Sequence, residues 1–445
     1  MTDIVFSFDT EDFVNKDAAE GILRCANLLD KHSVVGSFNV VARLALALKE
    51  WHREDIIEAL KSHEITSHSY GHSIHPTICE YTDTEDFNEG LEEFLKREGE
   101  AAEILKTVFE KDYLPAACPP GISTSYVAHY GYAKMGIKVY DGDFATDMKR
   151  LRPVHFCNVL AIDYTWGLED YLFTMSKEEI KKALHEVTDG KELVVFWHHP
   201  AMAYVSEFYD EINYKGVNTE PENWVMSPPR SKEDIERFYE NFDYLLTLIK
   251  EDPNLRLTTY EELGQKHNGG VRRITKNTIP HLRKQLSESL FPVTLPDSYC
   301  LTDMMFACRD LLIGKKEHIC GDVYGFLNTP YAITEPTTVT KEKMVESASQ
   351  IKDDFLPTEI KVGNKVLGPA DWLRAAMDVI CGEDEVTVSP APWQIDLNEF
   401  PRIKNCTYKG WMHHKDFPDK YLSDRYRLQS WTIRFDRGTP RKVFD

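Results

Sequence analysis

Three things are missing from this sequence, and each absence removes a class of protein. No apolar run approaches the roughly 20 residues that cross a bilayer, so no membrane-spanning helix is expected. Basic residues are not in excess: Lys and Arg number 52 against 73 Asp and Glu, a formal charge of -21. That charge repels phosphate backbones and anionic lipid heads, so neither nucleic acid nor a membrane surface is an expected partner. Cysteine spacing carries no pattern. The nine thiols are odd in number and include no Cys-x-x-Cys pair, which argues against a disulfide framework and against a zinc knuckle. The opening residues from Met1 to Asp9 hold no basic region followed by an apolar run, so no signal peptide is visible and a reducing, cytoplasmic setting is the expectation.

What is present is a chain of 445 residues, too long for one ordinary core, so two domains are expected. The first has a regular beat. Residues 3–8 alternate around Ile4, Phe6 and Phe8, the pattern of a strand, and the strand ends in Asp9, Thr10, Glu11 and Asp12. A helical pattern over 17–31 follows, then a strand at 34–41, a helix at 51–61 and a strand at 64–67. Alternation continues to a strand at 255–258, and the Gly269-Gly270 pair makes a linker. Strands alternating with helices imply parallel pairing, so the fold class is α/β. A (β/α) barrel of seven or eight strands, regular or distorted, is predicted over 1–268, with a smaller, mainly α or α+β domain over 271–445.

In such a barrel, residues just past the C-terminal strand ends collect on one face. That rule gathers Asp9, Glu11, His68, His72, the turn Pro119-Pro120-Gly121, Asp163, His198 and His199. His68 and His72, four residues apart around Gly71, can close on one ion. Asp9 and Glu11 can share a face of extended chain while Asp12 points elsewhere.

These residues resemble the motifs of the metal-dependent polysaccharide deacetylase superfamily of carbohydrate-esterase type. The resemblance covers roughly residues 3–263. Phe8-Asp9-Thr10-Glu11-Asp12 matches the first motif in its Asp-x-Glu variant, and His68-Ser69-Tyr70-Gly71-His72 matches the second. Asp163-Tyr164-Thr165-Trp166 resembles the fourth, and Val195-Phe196-Trp197-His198-His199-Pro200 the last, with His199 the better match for the histidine that protonates the leaving group. The third motif departs from the pattern, because Cys118 stands where the family has an arginine that helps hold the catalytic aspartate.

The resemblance implies hydrolysis of an N-acetyl amide on a carbohydrate. Glu11, the acid of the Asp-x-Glu variant, with Asp12 as the alternative, would hold one divalent ion together with His68 and His72. Zinc suits two imidazoles and a carboxylate, and the same set accepts cobalt, manganese, nickel or iron. Asp9 would be the general base and His199 the general acid. Pro120 and backbone N–H groups near Gly121 would meet the substrate and its oxyanion. Trp166, with Trp197, would form a platform for a sugar ring. The expected partner is an N-acetylated sugar or a related small substrate, with homo-oligomerisation left open. Two other readings accompany this one: a catalytically weak barrel that binds a glycan or other ligand, and a deacylase of another small amide.

Past Gly270 the beat stops. Asp303/Asp371, Ala307/Ala375, Asp310/Asp378 and Gly314/Gly382 recur at one offset of about 68 residues, which suggests two related units. The stretch 356–363 loosely resembles repeats that bind cell-wall polymers in some prokaryotic enzymes; the other reading is a domain that packs on the barrel or dimerises it.

Overall fold

The computed structural model describes residues 1–142, 152–214, 219–395, 413 and 416–439. Two compact units emerge, one of Met1–Pro153, Val159–Lys266 and Asn405–Leu422, the other of Val154–Asn158, His267–Lys404 and Ser423–Asp445. No helix among the described residues is long and apolar enough to cross a membrane.

The first unit is built on strands β1 (Thr2–Thr10), β2 (Ser37–Val40), β3 (Glu64–Ser67), β4 (Ala116–Ala117), β5 (Val139–Asp141), β6 (Val159–Ile162), β7 (Trp166–Gly167), β8 (Leu193–His198) and β9 (Leu255–Leu257). Their order is β6-β5-β4-β3-β2-β1-β8-β7, with β9 also beside β1. The pairs are parallel. Strands β6 and β7 lie at opposite ends of this order, yet residues 163–165 alone connect them, a reach of roughly 10 Å. The sheet must therefore curl until its ends approach. The predicted barrel is present in an opened form, because β6 and β7 share no ladder among the described residues.

Alternation along β1 decides what lies on each face. Ile4, Phe6 and Phe8 pack outward with Ile22, Leu29, Phe38 and Phe242 in the layer of helices. Val5 points into the curve with Ala116, Val139, Leu160, Val195 and Tyr260. Ser7 and Asp9 continue that inward row toward the C-terminal end of the sheet.

Among the helices that go beyond the predicted elements, one bears on the site. Leu44, Leu46 and Leu48 alternate as in a strand, but Ala42–Glu50 is helical, burying Ala42, Leu44, Ala45, Ala47 and Leu48. High helix propensity of alanine and leucine outweighs the two-residue period. This helix has a task at the site. Its first N–H groups, on Ala42 and Arg43, donate to the carbonyls of Ser69 and Tyr70 (3.1 and 2.9 Å), which fixes the loop between His68 and His72.

In the second unit, strand Arg273–Thr275, helices Ile279–Glu288 and Leu301–Leu312 and strand Glu317–Ile319 come first; strand Thr337–Thr340, helices Lys341–Ser347 and Pro369–Cys381, with the hairpin of Ile360–Val362 and Lys365–Leu367 between them, and strand Glu385–Val388 follow. In each set the first and last strands pair antiparallel. The spaced identities have a local cause. Asp303 and Asp371 each occupy the third helical position and accept a backbone N–H at the cap, from Cys300 (3.0 Å) and Gly368 (3.3 Å). Gly314 and Gly382 both follow the helices with positive φ, 89° and 120°.

Candidate functional site

The C-terminal ends of β1, β3 and β8 deliver Asp9, Glu11, His68, His72 and His199 to one cavity of about 360 Å³, which Gly121 after β4 also lines. At its centre the Nε2 atoms of His68 and His72 lie 3.2 and 2.8 Å from the same oxygen of Glu11. All three side chains are buried. His68 Nδ1 donates to the carbonyl of Cys118 (3.1 Å), so its ring is fixed with Nε2 facing Glu11. His72 Nδ1 lies 3.0 Å from Asp210 Oδ2.

Charge is concentrated here. Burial works against a charged His72 ring, yet Glu11 and Asp210 on its two sides raise its pKa to about 10. Glu11 is also penalised by burial, but His72, His199 and His68 hold its carboxyl well below the usual range. The same carboxylates would also attract a divalent cation, which would take the place of the imidazole proton. Two imidazoles and a carboxylate with converging donor atoms fit a divalent ion.

The alternative acid is occupied elsewhere. Asp12 accepts N–H groups from Val14 and Asn15 (both 2.9 Å) in the turn after β1, and burial, with Glu11 and Asp210 nearby, pushes its carboxyl up to about 6.

Asp9 is held from both sides. Asn39 Nδ2, directly across the β1/β2 ladder, donates to its Oδ1 (2.6 Å), and Asn39 is fixed in turn by Ser7 and Thr66. Tyr164 donates its hydroxyl to Asp9 Oδ2 (3.2 Å) and also touches the Cys118 thiol. Burial pushes that thiol up, with Asp9 and Asp141 adding to the effect. His199 Nε2 faces Asp9 Oδ2 at 3.7 Å.

His199 is anchored by a residue that the motif reading passed over. Glu169, in the single helical turn Leu168–Tyr171, accepts from His199 Nδ1 (2.7 Å), from the His199 backbone N–H (2.8 Å) and from His198 Nδ1 (2.7 Å). Burial lowers the His199 pKa, but Glu169, Glu11 and Asp9 more than offset it and bring it to about 10. His198 is different: buried against Phe238 (rings 4.5 Å apart), it is lowered by burial despite Glu169.

The predicted contact residues divide. Gly121 and Pro119 line the cavity, whereas Pro120 and Asp163 are not among its lining residues. Trp166 packs on Tyr171 and Phe196 in the outer core (rings 5.3 and 5.4 Å apart) and Trp197 lines the cavity in its place. Facing is the cause: Trp166, at the end of the short strand β7, points to the helices. Asn39, Tyr164, Glu169 and Asp210 complete the site without having been assigned roles from sequence.

Behind the histidine loop lies a buried acid, Glu98, on helix Phe87–Phe109. Its Oε1 accepts the Tyr70 N–H (3.4 Å) and the Tyr81 hydroxyl (3.2 Å), and burial raises its carboxyl to about 7. A carboxyl raised above its unfolded value contributes stability that is complete below about pH 4.5 and is lost as pH rises through about 7. Relative to wild type, Glu98→Gln should therefore gain about 2 kcal/mol between pH 5 and pH 8. Paired urea melts at the two pH values measure it.

No family model and no curated protein matches this chain. Among solved structures, it is similar to a putative polysaccharide deacetylase from Mycobacterium smegmatis, with 14% identity over 60% of this chain and 89% of that one, TM-score 0.39. It is also similar to a probable polysaccharide deacetylase from Pseudomonas aeruginosa, with 13% identity, 59% and 90% coverage and TM-score 0.40. A third is a CE4 family pseudoenzyme from Bacillus anthracis, with 12% identity and TM-score 0.34, where the match covers 59% of this chain and spans 64% of that one. Of a mutant of that pseudoenzyme with restored enzymatic activity, the chain spans 66%.

Proposed function

We propose that the protein is a metal-dependent hydrolase that removes an N-acyl group, an N-acetyl group foremost, from a carbohydrate or related amine. The observation that carries this reading is the pairing, in one cavity, of a three-donor cage with an acid and a base that face each other: Glu11, His68 and His72 on one side, Asp9 and His199 at 3.7 Å on the other.

An amide resists hydrolysis because its carbonyl is a weak electrophile and its amine a poor leaving group. Bound by Glu11, His68 and His72, a divalent ion would polarise the carbonyl and acidify water. Asp9, with Asn39 and Tyr164 fixing its two oxygens, is placed to accept the proton of the attacking water. His199, charged through its contact with Glu169, is placed to donate a proton to the departing nitrogen. Gly121, with φ 54°, lets the backbone turn along the cavity wall, where an N–H can meet the oxyanion. Zinc is the proposed ion, and a cytoplasmic setting is retained as part of this reading.

A second reading is favoured by Cys118. No lysine or arginine lines the cavity among the described residues, and the hydrogen bonds that hold Asp9 come from the neutral donors Asn39 and Tyr164. A binding barrel without turnover would have this property. The two readings separate on one assay, release of acetate from N-acetylglucosamine oligomers by protein loaded with zinc, cobalt or manganese and by the same protein after chelation. Hydrolysis expects metal-dependent acetate; a binder gives none.

Tyr164 offers a finer check. Removing its O–H from Asp9 in Tyr164→Phe should cost about 1 kcal/mol, a loss of roughly fivefold in kcat, with metal content unchanged. An unaltered kcat would remove Tyr164 from the support of the base.

A further inference from the structure

Between β8 and helix Lys232–Glu251, the described residues 199–214 and 219–231 form a packed body of their own beside the cavity. Its base is closed by the antiparallel bridge of Val205 with Pro229, by the Ser206 N–H donating to Pro228 O (3.0 Å) and by the Arg230 N–H donating to Tyr204 O (2.8 Å). Higher up, Asn213 clamps the two limbs: its Nδ2 donates to Val225 O (3.0 Å) and its Oδ1 accepts the Val225 N–H (2.8 Å). Between them lies an aromatic core. Phe13, from the turn after β1, sits against Tyr209 (5.4 Å) and Trp224 (5.5 Å), and Tyr209 is 5.8 Å from Trp224.

Two side chains of this body reach the reacting groups. Phe208 stands edge-on to the His199 ring with centroids 4.6 Å apart, and Asp210 lies 3.0 Å from His72 Nδ1. To swing aside, the segment would have to break its aromatic core and withdraw a buried carboxylate from His72. It is a wall, built into the site. On the other side Tyr164 and Trp197, 5.7 Å apart, bound the same space. A volume of about 360 Å³ is at the small end of cavities that hold one small ligand.

We infer that the site accepts a single N-acylated unit, as a small molecule or the last unit of a chain, and excludes the interior units of a polymer, because the body carrying Phe208 and Asp210 walls one flank of the reacting centre. An interior unit needs free passage for chain on both flanks. This inference rests on the hydrolase reading proposed above.

The test compares acetate release from N-acetylglucosamine, its dimer and its hexamer by metal-loaded protein, with mass spectrometry counting and locating the acetyl groups lost. The expected result is that kcat/KM does not rise from dimer to hexamer, and that the hexamer loses one acetyl group from an end. In Phe208→Ala the hexamer-to-dimer ratio of kcat/KM should rise about tenfold. A wild-type kcat/KM that rises tenfold or more with length, with several interior acetyl groups removed, overturns the inference and leaves the hydrolase reading intact. Absence of acetate from all three substrates and from a chromogenic N-acetyl arylamine overturns both. Isothermal titration calorimetry supplies a readout without turnover: equal affinity for dimer and hexamer is expected, and hexamer binding at least tenfold tighter overturns the inference.

Discussion

In the His68→Ala/His72→Ala double variant, bound divalent metal should fall from one ion per chain to none, and acetate release should fall with it to background. The expectation follows from where the donor atoms point. Both Nε2 atoms approach one oxygen of Glu11, at 3.2 and 2.8 Å, and neither ring is free to turn, because His68 is fixed by the Cys118 carbonyl and His72 stands against Asp210. Two of three donors removed leaves one carboxylate, which binds zinc weakly. A graded companion is Asp210→Asn. It keeps all three donors and removes only the charge beside His72, so metal affinity should weaken by roughly 10–100-fold while one ion per chain still binds at saturation. Inductively coupled plasma mass spectrometry on gel-filtered protein reads the ion, and circular dichroism checks that each variant is folded. Metal retained by the double variant would place the ion elsewhere and end the central assignment. Metal lost without any acetate release by wild type would leave a metal-holding barrel and favour the binding reading.

Legibility in the sequence followed the range of each interaction. Strand β1 was readable because its two faces meet different surroundings, the helices against Ile4, Phe6 and Phe8 and the interior against Val5, so burial imposes an alternation on adjacent residues. The convergence of Glu11, His68 and His72 was readable because they follow two strand ends of one parallel sheet, Glu11 two residues from Asp9 and the histidines four apart around a short loop. Asn39, Glu169 and Asp210 lacked any such mark. Asn39 meets Asp9 only through parallel pairing across β1 and β2, and Asp210 meets His72 from 138 positions away in sequence. Glu169 shows the limit most clearly. Asp163 was singled out on a motif, but the contact to His199 comes from the turn that follows β7, where nothing in residue spacing identifies which of Asp163, Glu169 or Asp170 faces inward. Trp166 and Trp197 were equivalent in sequence for the same reason, and only the facing of β7 and β8 separates them.

Glu169→Gln should lower kcat by about 10²-fold and move the alkaline limb of the pH–rate profile to lower pH. Glu169 is ionised although buried, since His199 and His198 together hold its carboxyl below the usual range against the penalty of burial. It accepts three N–H groups at 2.7–2.8 Å. Glutamine can keep its oxygen for the His198 Nδ1 and His199 backbone donors, but its NH2 group then faces His199 Nδ1, which can accept only with the ring neutral and its proton on Nε2. The larger effect is electrostatic. Glu169 leads the groups that raise His199 to about 10. A general acid works while protonated, so activity should fall as pH rises through the His199 pKa; without the carboxylate that fall should begin nearer neutrality, with His199 still buried and its remaining acidic neighbours reduced to Glu11, Asp9 and Asp170. A bound divalent ion offsets Glu11 in both proteins, so the shift between them, more than either absolute value, isolates Glu169. Metal content should not change, because Glu169 touches none of the three donors. If kcat drops by the same factor at every pH with the alkaline limb unmoved, Glu169 only places His199 and the charge argument fails. If neither changes, His199 is not the proton donor, and the base and the cage would need another acid.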